Sequence, residues 1–153
     1  LLGALSAFRR KPLGITWKIA VDTRSKIKTV NDALAAAMQA KEENKRLVIS
    51  YGEYDPMLAG HAERLASRSG PDRWHVVAVL PGKDPLLPQA ARCEMAASLR
   101  TVDCVVAFDQ HPSMLNMVAG KAELHDDRKA DEDARRALIT HVHEKQKLAT
   151  PTE

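Results

Sequence analysis

Ser50-Tyr51-Gly52-Glu53-Tyr54-Asp55-Pro56-Met57-Leu58-Ala59-Gly60-His61 is the stretch on which the reading of this chain turns. A short apolar run, Leu47-Val48-Ile49, precedes it, and a helical pattern, Ala62-Glu63-Arg64-Leu65-Ala66, follows it. A strand, a glycine-bearing turn and a helix start meet here. In an α/β protein such a junction is where a phosphate sits, because free backbone N–H groups and the helix dipole both point into the loop.

Outward from this junction the pattern repeats. The helix expected over 60–69 stops at Gly70-Pro71. His75-Val76-Val77-Ala78-Val79-Leu80 is nearly all apolar, as strands covered on both faces are. Pro81-Gly82-Lys83-Asp84-Pro85 is a loop. Pro88 to Arg100 carries a helical stripe of Ala91, Met95, Ala96 and Leu99, and Val102 to Phe108 reads as a third strand. Upstream, Asp32 to Glu43 is an Ala-rich helix with Thr29 or Asn31 as its cap. Ile15 to Val21 alternates in part and reads as an edge strand or an extended arm. Alternation of strand and helix predicts an α/β fold: a Rossmann-like parallel sheet, right-handed crossovers, flanking helices, and helical or extended terminal extensions.

The opening stretch resembles the signature of the cytidylyltransferase-like nucleotidyltransferases, Gly-x-Phe-Asp-x-x-His-x-Gly-His. Gly52, Asp55, Gly60 and His61 match it, Tyr54 stands for the Phe, and Leu58 stands where the first His belongs. Further on, Arg92-Cys93-Glu94-Met95-Ala96-Ala97-Ser98-Leu99 is similar to a helix of the heptose-phosphate adenylyltransferase branch, Arg-x-Glu-Met-x-x-x-Leu. Val102-Asp103 then leads into a strand ending in Phe108-Asp109, as in that branch. The similarity covers residues 26–110 and implies a nucleotidyltransferase-like domain. It also implies that Tyr54, Asp55, Gly60, His61 and Arg92 belong to a nucleotide site, with His61 stabilising charge on a transferring phosphoryl group.

The departures weigh on function. Leu58 has no donor, and loss of one such donor typically costs about 10²–10³ in rate. Tyr51 stands where the family has Asn. After the third strand the family carries a Lys-Gly-Gly segment and a Ser/Thr-rich motif that holds the triphosphate. Here Gln110-His111-Pro112-Ser113 follows, with a lone Gly120-Lys121, and Thr150-Pro151-Thr152 does not match. The expectation is a catalytically degenerate domain, without a cofactor, that serves as a structural or interaction subunit of a larger assembly. The alternative is an active adenylyl- or cytidylyltransferase acting on a phosphorylated sugar or alcohol, with Mg²⁺ and ATP or CTP. A third reading is a sensor that binds nucleotide without turnover.

Composition bounds these readings. The 153 residues suit one domain. Aromatics are only 4%, so the core must come from Ala, Val, Leu, Ile and Met. A net charge of +3 with both signs interspersed does not indicate nucleic acid. Cys93 and Cys104 form neither a metal spacing nor a disulfide framework and read as buried, reduced thiols. No apolar run approaches the ~20 residues that span a bilayer. Lys83 and Lys121 would meet a phosphate only if the fold is as drawn, and otherwise are solvated cations. Glu63, Arg64 and Arg68 read as a solvated helix face. Glu94 and Asp103 read as structural.

Three segments are expected: a basic N-terminal arm over 1–25, the α/β domain over 26–122, and a charged C-terminal helix and tail over 123–153. Residues 1–21 hold Arg9, Arg10, Lys11 and Lys18 and no acid, the composition of organelle transit peptides. They point to a mitochondrial or other organellar setting, with a cytoplasmic one as the alternative. In the last segment Ala130, Ala134, Ala137, Leu138 and Val142 recur at helical spacing, with Arg128, Asp131, Arg135 and Glu144 on the polar side. Residues 1–25 and 111–153 are the expected contacts to other protein subunits. His141 and His143 are two apart and do not face each other on a helix, so no metal site is expected there.

Overall fold

The computed structural model describes residues 22–111 and 120–149. A 3-10 turn, Thr23–Lys26, leads into helix α1 (Val30–Glu42). Then come β1 (Arg46–Gly52), α2 (Ala59–Ser67), β2 (Arg73–Val79), α3 (Gln89–Ser98) and β3 (Cys104–Ala107). After residues 112–119 come β4 (Glu123–Asp126) and a long helix, α4 (Arg128–Ala149).

The four strands form one sheet in the order β3-β2-β1-β4, and all pairs are parallel. The expected Rossmann-like α/β architecture is therefore present. Its register is set in the middle: β1 pairs with β2 from Arg46↔Arg73 to Gly52↔Val79, and with β4 from Val48↔Glu123 to Tyr51↔Asp126. Because β2 and β3 run to one side of β1 and β4 lies on the other, the strand order reverses at β1. In open α/β sheets ligands bind beyond the carboxyl ends of the strands at such a reversal.

Alternation along the strands feeds two cores. On the α2 and α3 face, Val77, Val79 and Val105 pack with Leu65, Cys93, Ala96, Ala97 and Tyr54. On the α1 face, Ile49, Val76, Cys104 and Val106 pack with Ala33, joined by Val30 and Leu47. Alanines let α1 approach the sheet closely. Its start is fixed by Thr29, whose Oγ1 accepts from the Asp32 N–H at 3.1 Å. Its end turns at Asn44, with φ of +60°, a residue type that tolerates the left-handed region.

Several expected boundaries move. The first strand runs on to Gly52, and the third is shorter than 102–108. Residues 22–25, expected as the end of the arm, lead through the 3-10 turn into the domain, where Arg24 meets Glu94 at 3.4 Å. Lys26 Nζ donates to the Leu99 carbonyl at 2.8 Å, and Lys28 N–H donates to the Val105 carbonyl at 2.9 Å, covering the outer edge of β3. Residues 1–21, with the expected strand or arm at Ile15–Val21, lie outside the described residues, as do Pro112, Ser113 and Thr150-Pro151-Thr152. The larger correction is at residue 122. The segment expected to be only helix and tail begins with β4, whose sequence Glu-Leu-His-Asp carries one apolar residue in four. An edge strand this short needs no apolar run, which is why the charge pattern conceals it. Among the described residues no helix is long and apolar enough to cross a membrane.

Candidate functional site

The carboxyl ends of β1 and β4 and the first turns of α4 border a cleft of ≈ 560 Å³. It lies at the reversal of strand order, where the fold class places ligands. The loop after β1 forms its inner wall. Tyr54 there has φ of +49°, and the N–H groups of Glu53 and Tyr54 converge on one point. Successive N–H groups arranged this way make an anion-binding concavity.

That concavity is filled by the chain itself. Asp131, one turn into α4, places Oδ2 at 2.8 Å from the Glu53 nitrogen and 3.1 Å from the Tyr54 nitrogen. Its Oδ1 accepts from Arg64 Nη2 at 3.2 Å and lies 3.0 Å from His61 Nε2. Gly52 is required here, because a Cβ on it would stand 2.2 Å from Asp131 Oδ2. One turn earlier, Asp127 receives a bidentate pair from Arg68, Nη1 to Oδ2 at 2.7 Å and Nη2 to Oδ1 at 2.8 Å. The Tyr54 hydroxyl donates to the same Oδ2 at 2.8 Å. Burial pushes the Asp127 carboxyl up, but the bonds from Arg68 and Tyr54 outweigh it and hold it below the usual range. Tyr54 is shifted well up, by burial first and the Asp127 charge second.

Further hydrogen bonds run inward beneath this pair. Arg68 Nη1 also donates to Ser50 Oγ at 2.8 Å, which leaves the serine hydrogen for His75 Nε2 at 2.9 Å. His75 is fully buried, and burial lowers its pKa to about 4.

The residues that the signature singles out have the following positions. His61 is buried. Its Nδ1 accepts from the Leu58 N–H at 2.9 Å, so the ring hydrogen sits on Nε2, which faces Asp131. Tyr54 is fully buried, an anchor for Asp127. Asp55 accepts from the Leu86 and Leu87 N–H groups, the latter at 2.9 Å, and organises the loop before α3. Gly60 is exposed, and a Cβ there would meet nothing within 4 Å, so no packing in this chain requires a glycine. Arg92 is fully buried and donates to the carbonyls of Leu87, Glu53, Leu80 and Pro81. It staples the loops after β1 and β2 together.

Lys83 lines the cleft, whereas Lys121 precedes β4 and lies at the opposite end of the sheet. The two cannot serve one phosphate group. Glu94 pairs with Arg24 at 3.4 Å, and Asp103 accepts from the His75 N–H at 2.8 Å, both structural. His141 and His143 are exposed on α4, and no group of three or more metal-capable side chains occurs among the described residues.

Arg64 and Arg68 are the clear correction. Read as a solvated face, they turn inward onto Asp127 and Asp131 because those buried carboxylates need cations. Asp131, read as polar-side, is the one buried residue of α4. A usable signal was present: Arg64 and Arg68 are four apart, as are Asp127 and Asp131. Each pair lies on one helical face, and opposite charges at matched spacing mark two elements that meet.

The fold and this loop define a Rossmann-like α/β domain with a self-filled anion cradle at its switch point. No family model and no curated protein sequence matches the chain.

Proposed function

We propose that this chain is a catalytically degenerate, nucleotidyltransferase-like domain that acts as a structural or interaction subunit of a larger assembly. One observation carries the reading: the Asp131 carboxylate sits on the Glu53 and Tyr54 N–H groups, beside the Nε2 of His61. By the signature, these are the groups that would face a nucleotide phosphate. A phosphate there must first evict a carboxylate. The charge of the cleft supports the same reading. Among its described lining residues Lys83, Arg128, Lys129 and Arg135 face Glu53, Asp55, Asp84, Asp126, Asp131 and Glu132. Arg128 is further engaged, paired with Asp126 at 2.6 Å and lying over the Tyr51 ring at 5.6 Å. A triphosphate gains little from a wall with more carboxylates than cations. Leu58 supplies only a backbone N–H to the loop.

The parts that meet partners on this reading are the N-terminal segment and the outer turns of α4, which are exposed from Ile139 to Ala149. Calorimetric titration of the folded chain with ATP and then CTP, each with Mg²⁺, tests it. No saturable heat is expected at micromolar nucleotide. Saturable micromolar binding, of about −8 kcal/mol, overturns the reading in favour of a sensor or an enzyme. Pyrophosphate release with sugar phosphates or phospho-alcohols then separates those two.

A further inference from the structure

Helix α4 is held to the domain in an unusual way. Among its described residues only Asp131 is buried, and the helix from Ile139 onward is exposed. Its attachment is therefore charge and hydrogen bonding rather than apolar burial. The seat is built for an anion: two backbone N–H groups, a guanidinium and an imidazole converge on one carboxylate. Gly52 leaves the backbone bare so that the anion can approach.

The fit is incomplete. His61 Nε2 is 3.0 Å from Asp131 Oδ1, yet it makes no well-formed hydrogen bond, and the side chain is only 3% exposed. Arg64 Nε is likewise buried beside Asp127 Oδ1 at 3.1 Å without a well-aligned bond. A planar carboxylate offers two oxygens to donors that arrive from more than two directions. A tetrahedral oxyanion offers more acceptors to the same donors.

We propose that α4 is an electrostatic plug: Asp131 is a self-ligand in a preformed oxyanion cradle, and a competing multivalent phosphoryl anion displaces it and frees the helix. This rests on the reading that the signature loop is not a working catalytic site. The tethered carboxylate competes at an effective concentration in the millimolar range or above. A free anion therefore binds the unaltered chain only weakly, and removal of the carboxylate unmasks the cradle.

The test uses inorganic pyrophosphate and the full chain. Asp131→Ala, shown to be folded by circular dichroism, is expected to bind pyrophosphate at least about tenfold more tightly than the unaltered chain. Equal affinity, or no binding by the folded variant, overturns the proposal. Should Asp131→Ala fail to fold, Asp131→Asn, which keeps the shape and loses the charge, is read against the same threshold. In the unaltered chain, pyrophosphate at about 10 mM is expected to raise hydrogen exchange across 128–149 without raising it in β1 and β2. Unchanged exchange in α4 also overturns it. Micromolar nucleotide binding by the unaltered chain would sink the scaffold reading and the plug together. Failure of the pyrophosphate comparison would sink the plug alone.

Discussion

At the scale of single residues, Gly52 makes the sharpest demand. A methyl group there would collide with Asp131 Oδ2 at 2.2 Å. Gly52→Ala should lower stability by about 1–3 kcal/mol, the usual cost of overpacking a filled site. In a chain that also carries Asp131→Ala the same change should cost much less, since the colliding oxygen is gone. Urea unfolding of the two single variants and the double variant checks this, and additive costs would mean that the strain lies elsewhere. His75 gives a prediction in pH. Its pKa falls from 6.5 to about 4 because burial disfavours the imidazolium. The unfolded chain thus binds more protons between those values. Stability from this residue is complete above pH 6.5 and drops by roughly 3 kcal/mol as pH falls to about 4. Unfolding midpoints between pH 7 and 4 should show that decline, and His75→Gln, which keeps a partner for Ser50, should flatten it. Asp127 acts in a lower window. Its depressed carboxyl adds stability above the usual carboxylate pKa of 3.8, lost as pH falls below that value.

At the scale of elements, α4 divides in two. Its first turns carry Asp127 on the preceding residue and Asp131 within, both locked to α2 through Arg64 and Arg68. Its outer turns, from Ile139 to Ala149, are exposed. Truncation after Leu138 should leave the unfolding free energy within about 0.5 kcal/mol, as surface changes do. Asp127→Ala, by contrast, strands Arg68 and the Tyr54 hydroxyl and should cost about 3–5 kcal/mol. Comparing the two by denaturant unfolding separates anchor from extension, and a large loss on truncation would refute the division. The same helix shows where sequence reasoning stops. The apolar stripe of Ala130, Ala134 and Leu138 was legible from its spacing. That a charged residue rather than the stripe is buried was signalled only by the matched spacing of the Asp and Arg pairs, because burial of Asp131 depends on donors brought from the loop after β1 and from α2, far away in the chain.

At the scale of the molecule, the parallel sheet was readable because its inner strands are covered on both faces, and Val48-Ile49 and Val76-Val77-Ala78-Val79 therefore appear as apolar runs. Strand β4 was not, since an edge strand with one neighbour is free to be Glu-Leu-His-Asp. The loop after β1 was legible as a strand-to-helix junction, and it lies at the carboxyl end of the sheet. Its chemistry was hidden because the position of Asp131 is a property of the sheet order, which sets β4 beside β1 and so delivers the start of α4 to Gly52.

The placement of the two cysteines makes the molecule its own gauge of opening. Cys93 belongs to the layer under α2 and α3, and Cys104 to the layer under α1. Burial raises both thiols to about 11, so neither offers appreciable thiolate near neutral pH while its layer is shut. A fast alkylating reagent then reads out each side of the sheet separately. If both sulfurs are modified at one rate, the two layers part together as a single cooperative unit. If Cys104 reacts first, the Ala-rich side breathes by itself, and the chain has a looser flank on which an assembly could take hold.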